Sequence, residues 1–290
     1  MSIMELDWYT TSSYLHCPRL GWLLLKGYRH EGRCPSDALA AGLALHRILE
    51  SLLKSGELTA ERANACAEVE RVAIEGLSAK YPFDAFTRLA RGLAEMLANR
   101  FPDAKFSSEQ TLHAPLSPET NWWARVDVQA VLPDGSVYFG ELKSSLYSLS
   151  LADIDAYMYS HGQISGQLWL GHRLYGDKFR GVAVLAAGFT SRQIEPINTT
   201  YSADRDLAHS YLVYDVADGL KNSLDQDDAE FRGLNCNPMN CVMFKNLCPM
   251  HAVCWRKQPL DEVDRDSWIA GKGWLSEMVS PSNTQPERRP

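Results

Sequence analysis

The fold turns on the stretch Arg125-Val126-Asp127-Val128-Gln129-Ala130-Val131-Leu132, then Pro133-Asp134-Gly135, then Ser136-Val137-Tyr138-Phe139-Gly140-Glu141-Leu142-Lys143. Pro-Asp-Gly between two β-type runs suits a three-residue hairpin loop, with Pro pre-setting the first turn position and Gly supplying the left-handed one. Leu132 then faces Ser136, and counting back in that register sets Asp127 opposite Glu141 and Arg125 opposite Lys143. Glu141 and Lys143, two apart on a strand, are therefore expected on the same face as Asp127. Directly opposed side chains lie about 4.5–5.5 Å apart at Cβ, where two carboxylates repel unless a cation lies between them or one keeps its proton. A divalent metal resolves the conflict. Asp127, Glu141 and the backbone carbonyl of Leu142 make an oxygen-rich set of the sort magnesium or manganese prefers. Lys143 beside them can hold or help deprotonate a water, or stabilise charge on a phosphate. The alternative from the residues alone is an exposed sheet face on which Arg125 and Lys143 simply neutralise the two acids.

A chain of 290 residues with 45% hydrophobic content can bury a substantial core, which excludes general disorder. Its start has no positive segment followed by an apolar run, and no stretch has the apolar length needed to span a bilayer. No membrane association is expected, and the location predicted is the cytoplasm, or the interior of an infected host. The formal net charge of −7 and a pI near 5.6 argue against a broadly basic surface but leave room for a local basic channel. Seven cysteines in such a chain point to ligands or core residues rather than disulfides.

The periodicity predicts helices over 11–27, from Ser36 to before Gly56, over 60–79 with Thr59 as cap, and over 84–100 after Pro82. After Pro102 the texture becomes β-type, with strands near 106–113, 122–132 and 136–143. An aromatic-rich helix is expected over 153–175, strands near 181–188 and 192–199, and a helix from Ala203 to Leu220. The organisation expected is a helical N-terminal lobe over 1–101, a mixed α/β core over 102–230, a cysteine-dense segment over 231–257 and a polar tail over 258–290, together one compact domain.

The acidic residue, hairpin turn and Glu-x-Lys of Asp127 and Glu141-Leu142-Lys143 resemble the PD-(D/E)xK nuclease superfamily. The run Gly42-Leu43-Ala44-Leu45-His46-Arg47-Ile48-Leu49-Glu50 resembles the helical G-x-x-x-H element of its RecB-like branch, in which the His is a further metal ligand. Judged by itself, His46 shares a helix face with Leu39, Leu43, Leu49 and Leu53, points inward and needs a partner, as a core histidine or as a ligand. The family also carries a Gln on the helix after the Glu-x-Lys strand. Here Gln163 and Gln167 stand one turn apart, and the spacing from Gln163 to Trp169 resembles lambda-type exonucleases, which favours Gln163 for the role. Gln167 is a candidate for contact with a nucleic-acid strand, as is Arg19.

The segment Asn237-Pro238-Met239-Asn240-Cys241 through Cys248-Pro249-Met250-His251-Ala252-Val253-Cys254 resembles the C-terminal iron-sulfur element of RecB-like nucleases, and Cys17 its remote N-terminal partner. Four thiolates fit a [4Fe-4S] cluster that would staple the first helix to the distant end of the chain. Structural zinc is the chemical alternative, but the paired short C-x-x-C knuckles usual there are missing. Cys236 is an alternate ligand to Cys241, and Cys34 and Cys66 read as ordinary residues. Arg19, Lys26, Arg29, Arg33, Lys245, Arg256 and Lys257 bring positive charge near that staple.

The resemblance, over residues 11–257, extends to the CRISPR-associated RecB-like exonucleases and the AddB nuclease domain. It implies a restriction-endonuclease-like mixed central sheet flanked by helices, with a cysteine-ligated cluster at the C-terminal end. The implied activity is Mg2+- or Mn2+-dependent hydrolysis of DNA phosphodiesters, from single-stranded or free ends and in the 5′ to 3′ direction. His46, Asp127, Glu141 and the Leu142 carbonyl would hold the ion, Lys143 would act on the water, and Gln163 would assist. Two rivals compete: a non-catalytic DNA-binding or scaffold subunit of a recombination, repair or CRISPR adaptation complex, with protein partners or as a homo-oligomer, and an iron-sulfur redox sensor with a merely structural hairpin.

Overall fold

The computed structural model describes residues 3–25, 37–146, 162–191, 193–199, 203–224, 242–243 and 246–247. In order they form β1 (Met4–Leu6), α1 (Trp8–His16), α2 (Pro18–Leu25), α3 (Asp37–Ser55), α4 (Ala60–Val69), α5 (Arg71–Glu75) and α6 (Phe83–Arg100). Then come β2 (Lys105–Ser117), β3 (Thr120–Val131), β4 (Val137–Ser145), α7 (Gly162–Tyr175), β5 (Phe179–Gly188), β6 (Gln193–Thr199) and α8 (Ala203–Leu224). A short ribbon of β7 (Val242–Met243) and β8 (Asn246–Leu247) follows. The fold class expected from the sequence is the one observed: a mixed sheet flanked by helices.

Two compact units divide the chain. One comprises Met1–Trp8 and Ser36–Tyr214, and the other Tyr9–Pro35 and Asp215–Pro290. In the second, α2 begins at Pro18, and Arg19 and Trp22 are buried. The helix expected over 11–27 is thus two helices, because Pro18 has no N–H to continue the ladder of α1 and is well suited to the first turn of α2. Likewise the helix expected over 60–79 breaks at Glu70 into α4 and α5, while Thr59 caps α4 by accepting from the Arg62 N–H at 3.2 Å. α3 and α6 keep their expected bounds to within a residue.

The first unit is built on a sheet in which β1, β3, β4, β5 and β6 are successive neighbours and β2 pairs with β3. β3 and β4 are antiparallel, with Val131 on Val137, Ala130 on Tyr138, Gln129 on Phe139 and Val128 on Gly140, which is the register that the Pro133-Asp134-Gly135 loop predicts. Gly135 supplies the left-handed turn position at φ 81°. The crossover from β4 to its parallel neighbour β5 contains α7. β1, which is too short to give a periodic signal, runs parallel to β3 at Thr120–Trp122.

Apolar clusters cover both faces of the sheet. On one, α3, α4 and α6 pack Leu45, Ile48, Leu49, Phe86, Leu89 and Leu93 with Val128, Ala130, Leu142 and Leu185. On the other, α7 packs Ile164 and Leu168 against Val126, Val137, Phe139, Val182 and Val184. Strand alternation keeps residues two apart on one face, yet Val126 and Val128 lie on opposite faces. β2 does the same, with Phe106 on the α3 side and Leu112 on the α7 side. The change of side falls at Asp127 and at Glu109 opposite it, and Glu109 has a left-handed backbone at φ 51°. That conformation is costly for a residue with a Cβ.

Candidate active site

β2 occupies one edge of β3 over almost its whole length, so β1 and β4 must share the other. β1 takes 120–122 and β4 takes 128–131. Among the described residues the edge over 123–127 has no strand partner. Pairing of β3 with β4 stops one step before Asp127 would meet Glu141, and the Asp127 carboxylate fills the place of the ladder bond by accepting from the Leu142 N–H at 2.7 Å.

The opening separates the two acids into two groups. Asp127 leans toward α3, where His46 Nδ1 lies 3.5 Å from its Oδ1. Glu109 joins them: His46, Glu109 and Asp127 each offer a ligand atom, all within 4.8 Å of one another. Arg125 holds Glu109 from the other side, its Nε 2.8 Å from Oε2. Glu141 instead leans toward α7. Its Oε1 accepts from Lys143 Nζ and from Gln163 Nε2, both at 2.7 Å, and its Oε2 accepts from Gln167 Nε2 at 2.6 Å. Lys143 Nζ also donates to Gln163 Oε1 at 2.9 Å. The simple picture of Asp127 and Glu141 directly opposed thus gives way to two polar clusters joined through the Leu142 backbone.

Burial and mutual repulsion shift the charges of these groups. Burial alone would lower the His46 imidazole, but Asp127, through its charge and its hydrogen bond, with Glu141 and Glu109 behind it, holds the pKa up at about 9. Burial, and then repulsion from Asp127, push Glu109 to about 7 despite Arg125 and His46. Glu141 is raised by the same two causes, against Lys143 and Gln167. Burial would raise Asp127 too, but His46, the Leu142 N–H and Lys143 outweigh it and keep it below the ordinary carboxylate range. Three carboxylates share one imidazole, one ammonium and the Arg125 guanidinium, and burial with mutual repulsion still drives Glu109 and Glu141 toward their neutral forms. The His46, Glu109 and Asp127 atoms suit a divalent ion of the magnesium or manganese kind, with nitrogen and oxygen donors and no thiolate.

Each expected site residue can now be placed. His46 and Asp127 fall in one cluster and Glu141, Lys143 and Gln163 in the other, together with Gln167, which is fully buried on Glu141 rather than exposed for a nucleic-acid strand. Arg125 pairs with Glu109. Arg19 is buried at 2% exposure. Cys17 and Cys66 are buried, while Cys34, Cys236, Cys241, Cys248 and Cys254, and with them Lys26, Arg29, Arg33, Lys245, Arg256 and Lys257, lie outside the described residues. Glu109 is the residue that sequence reading missed. The signal was available in register: Ser108 pairs with Val128 and Gln110 with Val126, so extending the hairpin count to β2 sets Glu109 against Asp127.

No family model matches the chain, and no curated protein matches it. Solved structures do resemble it. A Eubacterium rectale protein whose description proposes an exonuclease is 12% identical with a TM-score of 0.48, over 89% of each chain. The protein SSO0001 is 15% identical with a TM-score of 0.34, over 75% of this chain and 86% of that one. The Vibrio cholerae protein VC1899 is 13% identical with a TM-score of 0.23, over 71% and 60%. At such identities and scores these likenesses carry no argument about the reaction, which rests on the site. Among the described residues no helix is long and apolar enough to cross a membrane.

Proposed function

We propose that the chain is a metal-dependent nuclease of the RecB-like PD-(D/E)xK kind that hydrolyses DNA phosphodiesters. The observation that carries it is the opened β3–β4 ladder, where His46, Glu109 and Asp127 converge beside a Lys143–Glu141–Gln163 cluster. An exposed face neutralised by ion pairs would show none of this burial: Asp127 and Glu141 are 8% and 3% exposed.

His46, Asp127 and Glu109 would hold Mg2+ or Mn2+, and the family resemblance adds Glu141 and the Leu142 carbonyl as further oxygen donors. A divalent ion bound there supplies Lewis acidity, lowers the pKa of water and offsets charge on the phosphate. The remaining roles belong to the chain itself. Lys143, tethered between Glu141 and Gln163, orients the attacking water and donates to a phosphate oxygen as negative charge grows on it. Gln163 fixes the Lys143 ammonium, and Gln167 fixes Glu141 from below. In the reaction the water oxygen bonds to phosphorus, one P–O ester bond breaks, and the leaving oxygen takes up a proton.

Single-stranded DNA ends as substrate, 5′ to 3′ polarity and a [4Fe-4S] cluster on Cys17, Cys241, Cys248 and Cys254 are the finer parts of the proposal, and they come from the family resemblance. Digestion of end-labelled single- and double-stranded DNA with Mn2+ tests the activity, comparing the wild type with Glu141→Ala and Asp127→Asn. Both variants should be inactive. Cutting that persists in both would overturn the site. Anaerobic purification, iron analysis and a visible absorption spectrum, with and without Cys17→Ala, test the cluster. A colourless, iron-free wild type would remove it and leave the nuclease standing.

A further inference from the structure

Positions 122 and 123 are both tryptophan, and the strand sends them to opposite sides. Trp122 is buried, its indole close against Gly166 of α7 and edge-on to His209 at 4.9 Å. Trp123 therefore points to the α3 side, the side on which His46, Glu109 and Asp127 meet, and there it is only half-buried. His113, its cross-strand partner on β2, is exposed and lies nearly parallel to it, with ring centroids 6.3 Å apart and planes at 27°. Polar contacts fix the pair: His113 Nδ1 is 3.1 Å from Glu5 Oε2, and Asn121 Nδ2 donates to Glu5 Oε1 at 2.8 Å. The first unit buries Trp122 and Trp169 almost completely, so an indole left half open beside the site calls for a use.

We propose that Trp123 and His113 form a stacking platform for an unpaired base of the substrate strand, a subsite that rests on the nuclease function proposed above. Three features choose this occupant. Trp123 lies on the same strand as Asp127, within the stretch 123–127 that has no β1 or β4 partner among the described residues, four residues away, or about 13 Å at about 3.3 Å per residue. That distance is spanned by no more than about four nucleotides at a stacked rise of about 3.4 Å, and by fewer in an extended strand. Arg125 stands midway on the same face and supplies a cation along the path. A flat ring pair with polar edges also suits bases rather than a protein partner, since every base presents a π-face and stacking tolerates any sequence. Glu5, at the far end, repels further phosphates and limits the contact to a few nucleotides. Duplex DNA, whose bases are already stacked, cannot use the platform.

The test is fluorescence anisotropy of a short fluorescein-labelled oligothymidylate in EDTA, where binding is read without cleavage. Trp123→Ala should weaken binding about five- to a hundredfold, Trp123→Phe much less, and His113→Ala by an intermediate amount, with a blunt duplex bound equally by all. Quenching of tryptophan emission by the oligonucleotide should be smaller in Trp123→Phe. Equal affinity of the wild type and Trp123→Ala for the single strand overturns the platform. If DNA is still cut in that case, the nuclease function survives it. If the wild type neither binds nor cuts any DNA, both fall together. Should Trp123→Ala fail to fold, His113→Ala and the quenching measurement decide.

Discussion

Replacing Glu109 by Gly should make the metal-free protein more stable while weakening its hold on metal. The wild-type residue sits at φ 51°, where a Cβ costs about 1–2 kcal/mol and glycine costs nothing. Its carboxyl is pushed from an ordinary 4.5 to about 7. At about 1.36 kcal/mol per pH unit, that displacement is worth up to about 3 kcal/mol of destabilisation once the group is charged. The sign follows from proton counting: between pH 4.5 and about 7 the native state binds more protons than the unfolded chain, so native stability falls as pH rises through that window. Below it the group is neutral in both states and costs nothing. Against the gain stand the extra unfolded-state freedom of glycine, about 1 kcal/mol, and the packing of the lost methylenes, about another 1 kcal/mol, while the Arg125 attraction is already contained in the displaced pKa. The net expectation for Glu109→Gly in EDTA at pH 8 is a stabilisation of about 1–3 kcal/mol, shrinking toward pH 4.5. Urea melts across that pH range measure it. Mn2+ should reverse the order, because a ligand at a hundred times its Kd stabilises by about 2.7 kcal/mol and the variant has lost a donor. A variant less stable than wild type in EDTA at pH 8, or one with an undiminished response to Mn2+, would refute the role given to Glu109.

Other changes test the remaining parts. Lys143→Met should lower the rate of DNA cleavage by about a hundredfold or more while calorimetry still detects Mn2+ binding. His46, held up at about 9, contributes stability that is complete below its ordinary 6.5 and lost as pH rises toward 9. His46→Asn should therefore flatten the metal-free stability profile between those values, as read by chemical denaturation. Gln167→Leu removes the only buried donor on Glu141 Oε2 that is described and should cost about 1–3 kcal/mol in urea melts, with a fall in activity. Gly166→Ala would set a methyl 2.5 Å from the Trp122 ring and should cost about 1–3 kcal/mol while leaving the distances at Asp127 unchanged in a crystal structure.

Local chemistry wrote much of this architecture into the sequence. Pro133-Asp134-Gly135 set the β3–β4 register, Pro82 and the apolar spacing set α6, and the apolar spacing that puts His46 on a face with Leu39, Leu43, Leu49 and Leu53 set α3. The spacing of Glu141 and Lys143 was enough to set those two side chains against each other, at 2.7 Å, but the register expected to set Asp127 against Glu141 stops one pair short.

Tertiary structure decided what those groups touch. A period of two cannot show that β2 and β3 both change sides at Glu109 and Asp127, because the left-handed residue there is a glutamate and carries none of the usual glycine signal. Nor could it show that β1 and β4 share one edge of β3 and leave a gap, since β1 is three residues long and its pairing is fixed only in three dimensions. From that gap follow the division of the acids between α3 and α7, the capture of Arg125 by Glu109, and the burial of Gln167 under Glu141. Registers and helix faces depend on neighbours in the chain and are legible there. Which carboxylate meets which cation depends on where separate strands stop pairing, and only the packed sheet fixes that.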